Sequence, residues 1–258
     1  MKKILATLFV AGAFFVGNLA YAADITDDGY IEAEGYGDAQ QSVGSGRRAA
    51  IMDAYRYLAE QVDDLHISSS TTVRQARTIN DEINSSVESI LRGAKIVSTF
   101  QDKKGGFHAI ARLPIYGEQN SLARAVITDD YQITEFPELK YKNTESSNIK
   151  EKYTGLIIDC RGLKLATAIS PSILATSGES VYAYQNLEYD NVVNKGMVDY
   201  SHQTNSDVQR AGSHPLIVKA VKVLDSCNPV VSVEDATKIL SVNKTDGILR
   251  NCNVVFVR

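Results

Sequence analysis

From Gly44 to Val62 the chain reads GSGRRAAIMDAYRYLAEQV, and Ile51, Ala54, Tyr55, Leu58 and Val62 recur at three-and-four spacing. That spacing lays one apolar stripe along a helix. Arg47, Arg48, Asp53, Arg56 and Glu60 fall on the opposite, solvated side. A stripe of this kind needs a partner surface, and the flanking segments supply one. Tyr30 to Tyr36 alternates, with Ile31 and Ala33 on one side and Glu32 and Glu34 on the other, as a half-buried strand does. Ile67 to Val73 reads as a second strand. Ile79 to Leu91 reads as a second helix stopped at Gly93. Ala94 to Gln101 and Phe107 to Tyr116 form a hairpin around Lys104-Gly105-Gly106. The order β-α-β-α-β-β predicts an α+β layer, with helices on one face of a mainly antiparallel sheet, over residues 27–116.

The pattern weakens over residues 117–152, which read as a linker: Leu122 to Ile127 is one short helix there, and the polar run Tyr141 to Lys152 is the best place for a domain boundary. A second, β-rich α+β domain is expected over residues 153–258. Its strands are Thr154 to Asp159, a hairpin of Ile173-Leu174 with Val181-Tyr182, another of Val192-Val193 with Met197-Val198, Leu216 to Val223, and Asn253 to Val257. Ser232 and Asp235 predict the start of a short helix ending near Leu240.

The first residues change the picture of where the protein works. Lys2 and Lys3, the apolar run Ile4 to Val16 and the small residues of Ala20-Tyr21-Ala22 make a signal peptide over residues 1–22, with cleavage expected after Ala22. The apolar run is shorter than the roughly 20 residues of a membrane span, and no later stretch is long and apolar enough to be one. No cysteine follows the run, so no lipid attachment site is expected there. The location predicted is the periplasm or the medium.

The chain carries 27 Lys+Arg against 31 Asp+Glu, a net charge of −4, and loss of Lys2 and Lys3 with the leader makes it more negative. That balance argues against a nucleic-acid partner and against adsorption to anionic lipid. Of the three cysteines, Cys227 and Cys252 each lie beside a strand of the second domain and are the candidate disulfide. Such a bridge would contribute about 3 kcal/mol in the chain-entropy account. Cys160 ends an apolar run and reads as a buried small residue.

Reactive constellations are scarce. The glycines of EGYGDAQQSVGSG lack the Lys-Ser/Thr pair of a phosphate loop and read as a turn or bulge leading into the helix. His66, His108, His202 and His214 are scattered, with no metal-ligand spacing, and no G-x-S-x-G is present. No metal, cofactor or catalytic residue is expected. Asp159 and Arg161 at the end of one strand, and Arg210 before the turn Ala211-Gly212-Ser213, form the one suggestive polar set. They are either a binding pocket or structural ion pairs.

EAEGYGDAQQSVGSGRRAAIMDAYRYLAEQV, ISSSTTV and GAKIVSTFQDKKGGFHAIARLPI together resemble the N-terminal domain of flagellar assembly protein T and the related LPP-type envelope lipoproteins, over about residues 30–116. YTGLIIDCRGLKLATAISPSIL and RAGSHPLIVKA are similar to a domain that accompanies this one in some bacterial exported proteins. The resemblance implies an envelope protein that works by assembly and not by catalysis, with envelope or flagellar proteins, or further copies of itself, as partners. The competing reading is a periplasmic small-molecule-binding protein or hydrolase that uses Asp159, Arg161 and Arg210.

Overall fold

The computed structural model describes residues 24–26, 28–40, 42–139, 151–202 and 209–258. The expected signal peptide, its expected cleavage site and most of the polar run in the expected linker lie outside the described residues. Strand β1 (Tyr30–Gly37) is followed by helix α1 (Val43–Asp64), the short pair β2 (His66–Ser68) and β3 (Thr71–Thr72), helices α2 (Val73–Ile79) and α3 (Asp81–Arg92), and the hairpin β4 (Lys95–Gln101) and β5 (Phe107–Pro114). The first sheet has the order β1-β5-β4 and is antiparallel throughout. The α+β architecture with helices over an antiparallel sheet stands as expected.

The contact between α1 and β1 is closer than an ordinary side-chain layer. The buried line of α1 is Gly46, Ala50, Ala54, Leu58 and Val62, spaced by four, with Ile51 and Tyr55 half-buried beside it. A Cβ placed on Gly35 would stand 2.0 Å from the Ala54 nitrogen and 2.2 Å from the Ala50 oxygen; one on Gly37 would stand 2.1 Å from the Gly46 oxygen. Of the four glycines expected in a turn or bulge, Gly35 and Gly37 are therefore strand residues whose missing side chains let two backbones touch, and Gly44 and Gly46 lie in α1. Ser42 caps α1 by accepting from the Ser45 amide at 3.4 Å, and Tyr55 donates to the Ala94 carbonyl at 3.2 Å.

Two segments depart from expectation for legible reasons. The single strand read over Ile67 to Val73 is the small β2–β3 pair followed by a helix start. Thr72 accepts from the Gln75 amide while the Gln75 side chain accepts from the Thr72 amide, a capping box. The second helix is two helices, because the Asn80 side chain accepts from the amides of Glu82 at 2.9 Å and Ile83 at 3.1 Å and opens a new one. Ile79, placed on the buried face by its spacing, is 83% exposed.

Helix α4 (Leu122–Val126) lies in the stretch expected to loosen, yet Leu122, Ala123 and Val126 are buried in the main core. Beyond it come β6 (Gly155–Asp159), β7 (Ile173–Ala175), β8 (Ser180–Tyr182), a 3-10 turn at Tyr184–Asn186, α5 (Tyr189–Asn194), β9 (Asp199–Ser201), a second 3-10 turn at Gln209–Ala211, β10 (Pro215–Lys219), β11 (Lys222–Leu224), β12 (Asn228–Val231), α6 (Val233–Asp246) and β13 (Val254–Val257). They form two sheets. One is wholly parallel, in the order β10-β6-β13-β9; the other is mixed, in the order β11-β12-β7-β8.

The hairpin expected at Val192-Val193 and Met197-Val198 is replaced by α5 and the loop that leads into β9, and all four residues are buried. Buried on every side, they show no alternation that separates helix from strand. Leu216 to Val223 is not one strand. The chain crosses between sheets at Ala220, whose amide donates to the Asp159 carbonyl, and Val221, whose amide donates to the Val230 carbonyl. Helix α6 runs on to Asp246 and ends at Gly247 in the left-handed region, φ 69°.

The two halves share one apolar core. Leu58, Val62, Ile115 and Leu122 from the first half belong to the same buried cluster as Leu156, Ile158, Tyr182, Tyr200 and Phe256 from the second. Backbone bonds join them as well: the Ile169 amide donates to His66 at 2.9 Å, Ser170 to Ile67 at 2.7 Å and Gly117 to Val193 at 3.1 Å. The opposite face of the parallel sheet holds a separate small cluster of Ile157, Val255 and Val257 with Ala211.

Candidate functional site

The three residues singled out in the sequence do not converge. Arg210 sits in the turn at Gln209–Ala211, which packs on the N-terminal end of β6: a Cβ on Gly155 would lie 2.6 Å from the Ala211 Cα. Asp159 is at the other end of that strand, on the order of 13 Å away at 3.3 Å per residue. Asp159 and Arg161 form a local pair, with Arg161 donating to the two carboxylate oxygens at 2.9 and 2.7 Å. Arg210 instead pairs with Asp199 at 2.8 Å. The pocket reading of the set is thus corrected: separate ion pairs lie at opposite ends of the strands of the parallel sheet.

Asp159 is held below the usual carboxylate range, first by the Arg161 hydrogen bond and against the pull of burial. A depressed folded-state value stabilises the fold above the ordinary carboxylate pKa and loses that contribution as the pH falls through the lowered value. Arg161 is 55% exposed, so solvent screens the pair. Asp159→Ala is expected to lower the melting temperature by no more than a few degrees at neutral pH. A thermal melt checks this, with the difference from wild type vanishing in acid.

The disulfide expected between Cys227 and Cys252 is absent: both are free and buried, as is Cys160. Cys227 precedes β12 of the mixed sheet, whereas Cys252 precedes β13 of the parallel one, so the neighbouring strands belong to different layers. Burial pushes the Cys160 thiol up to about 12 and Cys227 to about 11. Such thiols are poor nucleophiles at neutral pH.

Two polar constellations are assembled by the fold; of their residues, Arg210 alone was read from the sequence as a candidate site residue. On the outer face of the first sheet, His108 places Nδ1 2.6 Å from Glu34 and Nε2 3.3 Å from Asp102. Its ring stacks on Phe100 with centroids 4.8 Å apart and meets the edge of Tyr36 at 5.3 Å. The antiparallel register sets Tyr36, His108 and Phe100 in one cross-strand row. Asp102 is held low chiefly by His108, with the Gly106 amide assisting. Among the described residues no His, Cys, Asp and Glu group is arranged to hold a metal ion.

The second constellation is a cleft of about 300 Å³ where the halves meet, walled by Asp28, Gly29 and Tyr30 on one side and by Asn194, Lys195, Asp199 and Arg210 on the other, with Tyr116 between. Gly196 is required here, since its φ is +79° and a Cβ would enter the Tyr116 ring at 2.7 Å. Arg210, only 9% exposed, donates to the carbonyls of Lys195, Gly196 and Cys252 besides Asp199. Lys195 donates to the Asn251 carbonyl and to Asn253 Oδ1. Burial, then the Arg210 charge, lowers the Lys195 pKa. Burial raises Tyr116, whose hydroxyl donates to the Ile169 carbonyl at 3.3 Å. These groups can hold a small polar molecule. No nucleophile is paired with a base among them.

Residues 22–114 match the family profile of the LPP20 lipoprotein. Residues 155–258 match that of Treponema pallidum Tp0624, second domain. No curated protein matches the chain. The first match agrees with the lipoprotein side of the resemblance carried by the N-terminal residues, and the flagellar side finds no support in these comparisons. Among the described residues no helix is long and apolar enough to cross a membrane.

Proposed function

We propose that this chain is a non-catalytic protein of the bacterial cell envelope that acts by contact with other envelope proteins. The observation that carries this reading is the match of its first half to the LPP20 lipoprotein. The export-type leader, with its short positive region, apolar run and small-residue end, is consistent with it. So is the chemistry of the described polar groups: the Arg210 guanidinium is spent on carbonyls and Asp199, and the Asp159 carboxylate on Arg161. A hydrolase reading needed Asp159, Arg161 and Arg210 around one pocket, and their separation removes its basis. Placement at the flagellum is the finer form of the proposal.

The test is fractionation of cells expressing the tagged full-length chain, followed by crosslinking in intact envelopes. The proposal expects a processed protein in the periplasmic or envelope fraction, crosslinked to discrete envelope proteins or to itself. Recovery in the cytoplasm, or an envelope-fraction monomer that crosslinks to nothing, overturns it. Crosslinks to motor or ring components would select the flagellar form.

A further inference from the structure

We infer that the cleft between the two halves is a binding site for a small zwitterion, an amino acid or a short peptide with a free carboxylate and a free ammonium group. The inference goes beyond the envelope reading and stands independently of it, because it concerns the purified chain. It rests on the distribution of charge and hydrogen-bonding capacity across the two walls.

The wall from the second half carries two cations, Lys195 and Arg210, against one carboxylate, Asp199. Arg210 is turned inward onto Asp199 and three carbonyls, so its position is fixed. Lys195 uses two of its three hydrogens on the Asn251 carbonyl and on Asn253, at 2.8 Å for the latter. The amide oxygen of Asn194 accepts from Arg124 Nη2 at 2.7 Å, which commits that oxygen and leaves the amide NH2 as the opposite arm of the group. This wall therefore offers one unit of net positive charge and N–H donors, the requirement of a carboxylate.

The facing wall has the opposite sign. Asp28, 58% exposed, accepts from the Thr26 hydroxyl at 2.6 Å. Among the described residues its cationic partner is Arg112 at 3.6 Å, which is shared with Glu32, so two carboxylates meet one guanidinium. A carboxylate has about four acceptor positions, and an ammonium group uses several of them at once. The ring of Tyr116, between these poles, suits a small apolar side chain, while the Tyr30 ring is covered by the Arg112 guanidinium at 4.6 Å. About 300 Å³ is at the lower end of ligand pockets, room for an amino acid or dipeptide and too little for a nucleotide. A bound carboxylate would also relieve the crowding of Lys195 by Arg210.

Isothermal titration and NMR chemical-shift mapping of the full chain with alanylalanine test this, with acetate and ethylammonium as one-ended probes. The expected result is saturable binding of alanylalanine, with shifts at Asn194, Lys195 and Gly29, and much weaker binding of either one-ended probe. Asp28→Asn and Lys195→Met should each weaken alanylalanine roughly tenfold, the loss of one charged hydrogen-bonding partner. Because Asp28 is exposed, its variant tests the site without threatening the fold, and an unchanged melting temperature confirms that. No saturable binding at tens of millimolar overturns the inference. So does acetate binding as tightly as alanylalanine with no response to Asp28→Asn, which would make the cleft a simple anion site.

Discussion

Gly35→Ala is expected to destabilise the protein by about 3 kcal/mol or more, as severe as overpacking becomes in a well-packed core. The added methyl group would meet the Ala54 nitrogen at 2.0 Å and the Ala50 oxygen at 2.2 Å. Both are backbone atoms of α1, so no neighbouring side chain can rotate aside. The helix must lift from β1, and that would break the close packing of Ala50, Ala54 and Leu58, all fully buried. Trimming Ala54 to glycine cannot rescue the variant, because the clash is with main chain. Gly44→Ala is the control: a Cβ there meets nothing within 4 Å. It should leave stability unchanged or raise it slightly, since alanine loses less chain entropy in a helix. Urea unfolding of the two variants side by side checks both expectations.

Arg210→Ala is expected to cost about 2–3 kcal/mol, since the guanidinium is 9% exposed and donates to three carbonyls, while Asp199, 32% exposed, keeps part of its solvation. Asp199 is left without its guanidinium, and the carbonyls of Lys195, Gly196 and Cys252 lose their donor together. These carbonyls come from the loop after α5 and the turn before β13, so one side chain fastens the β9 and β13 edge of the parallel sheet. Arg210→Lys should recover only part of the loss, because an ammonium cannot reproduce the planar fork. The readout is the denaturant midpoint at constant slope. A change within a few tenths of a kcal/mol would mean that the guanidinium is solvated and not a clamp.

What was legible in the sequence follows from where period and burial coincide. Tyr30 to Gly37 alternates and is buried on one side only, so its strand could be read directly. The α1 stripe was visible too, although its centre lies at Gly46, Ala50 and Ala54, residues too small to stand out by hydrophobicity. The role of Gly35 and Gly37 was hidden, since a glycine in a strand looks like a turn until its neighbour is known. The capping side chains of Thr72 and Asn80 were present to be read, but the Ile79, Ile83 and Val87 spacing runs across the break and masks it. In the second half the short apolar runs of β6 and β13 are buried on both faces and carry no period that reveals a parallel sheet. Arg210 was noticed, yet its partners Gly196 and Cys252 are 14 and 42 residues away, so whether it served a pocket or a clamp depended on topology. The cleft escaped notice for the same reason, being built from residues near 28, 116, 195 and 210 that only the shared core brings together.

The two halves hold each other through that core, which fixes the cleft between them. Native-state hydrogen exchange followed by mass spectrometry measures this directly, through the opening free energies of the β1–β5 ladder and of the β6–β13 ladder in the same molecule. The slowest amides of both ladders are expected to open together, with one free energy that falls in both ladders alike in Gly35→Ala and in Arg210→Ala. Two well-separated values, each responding only to the substitution in its own half, would contradict this.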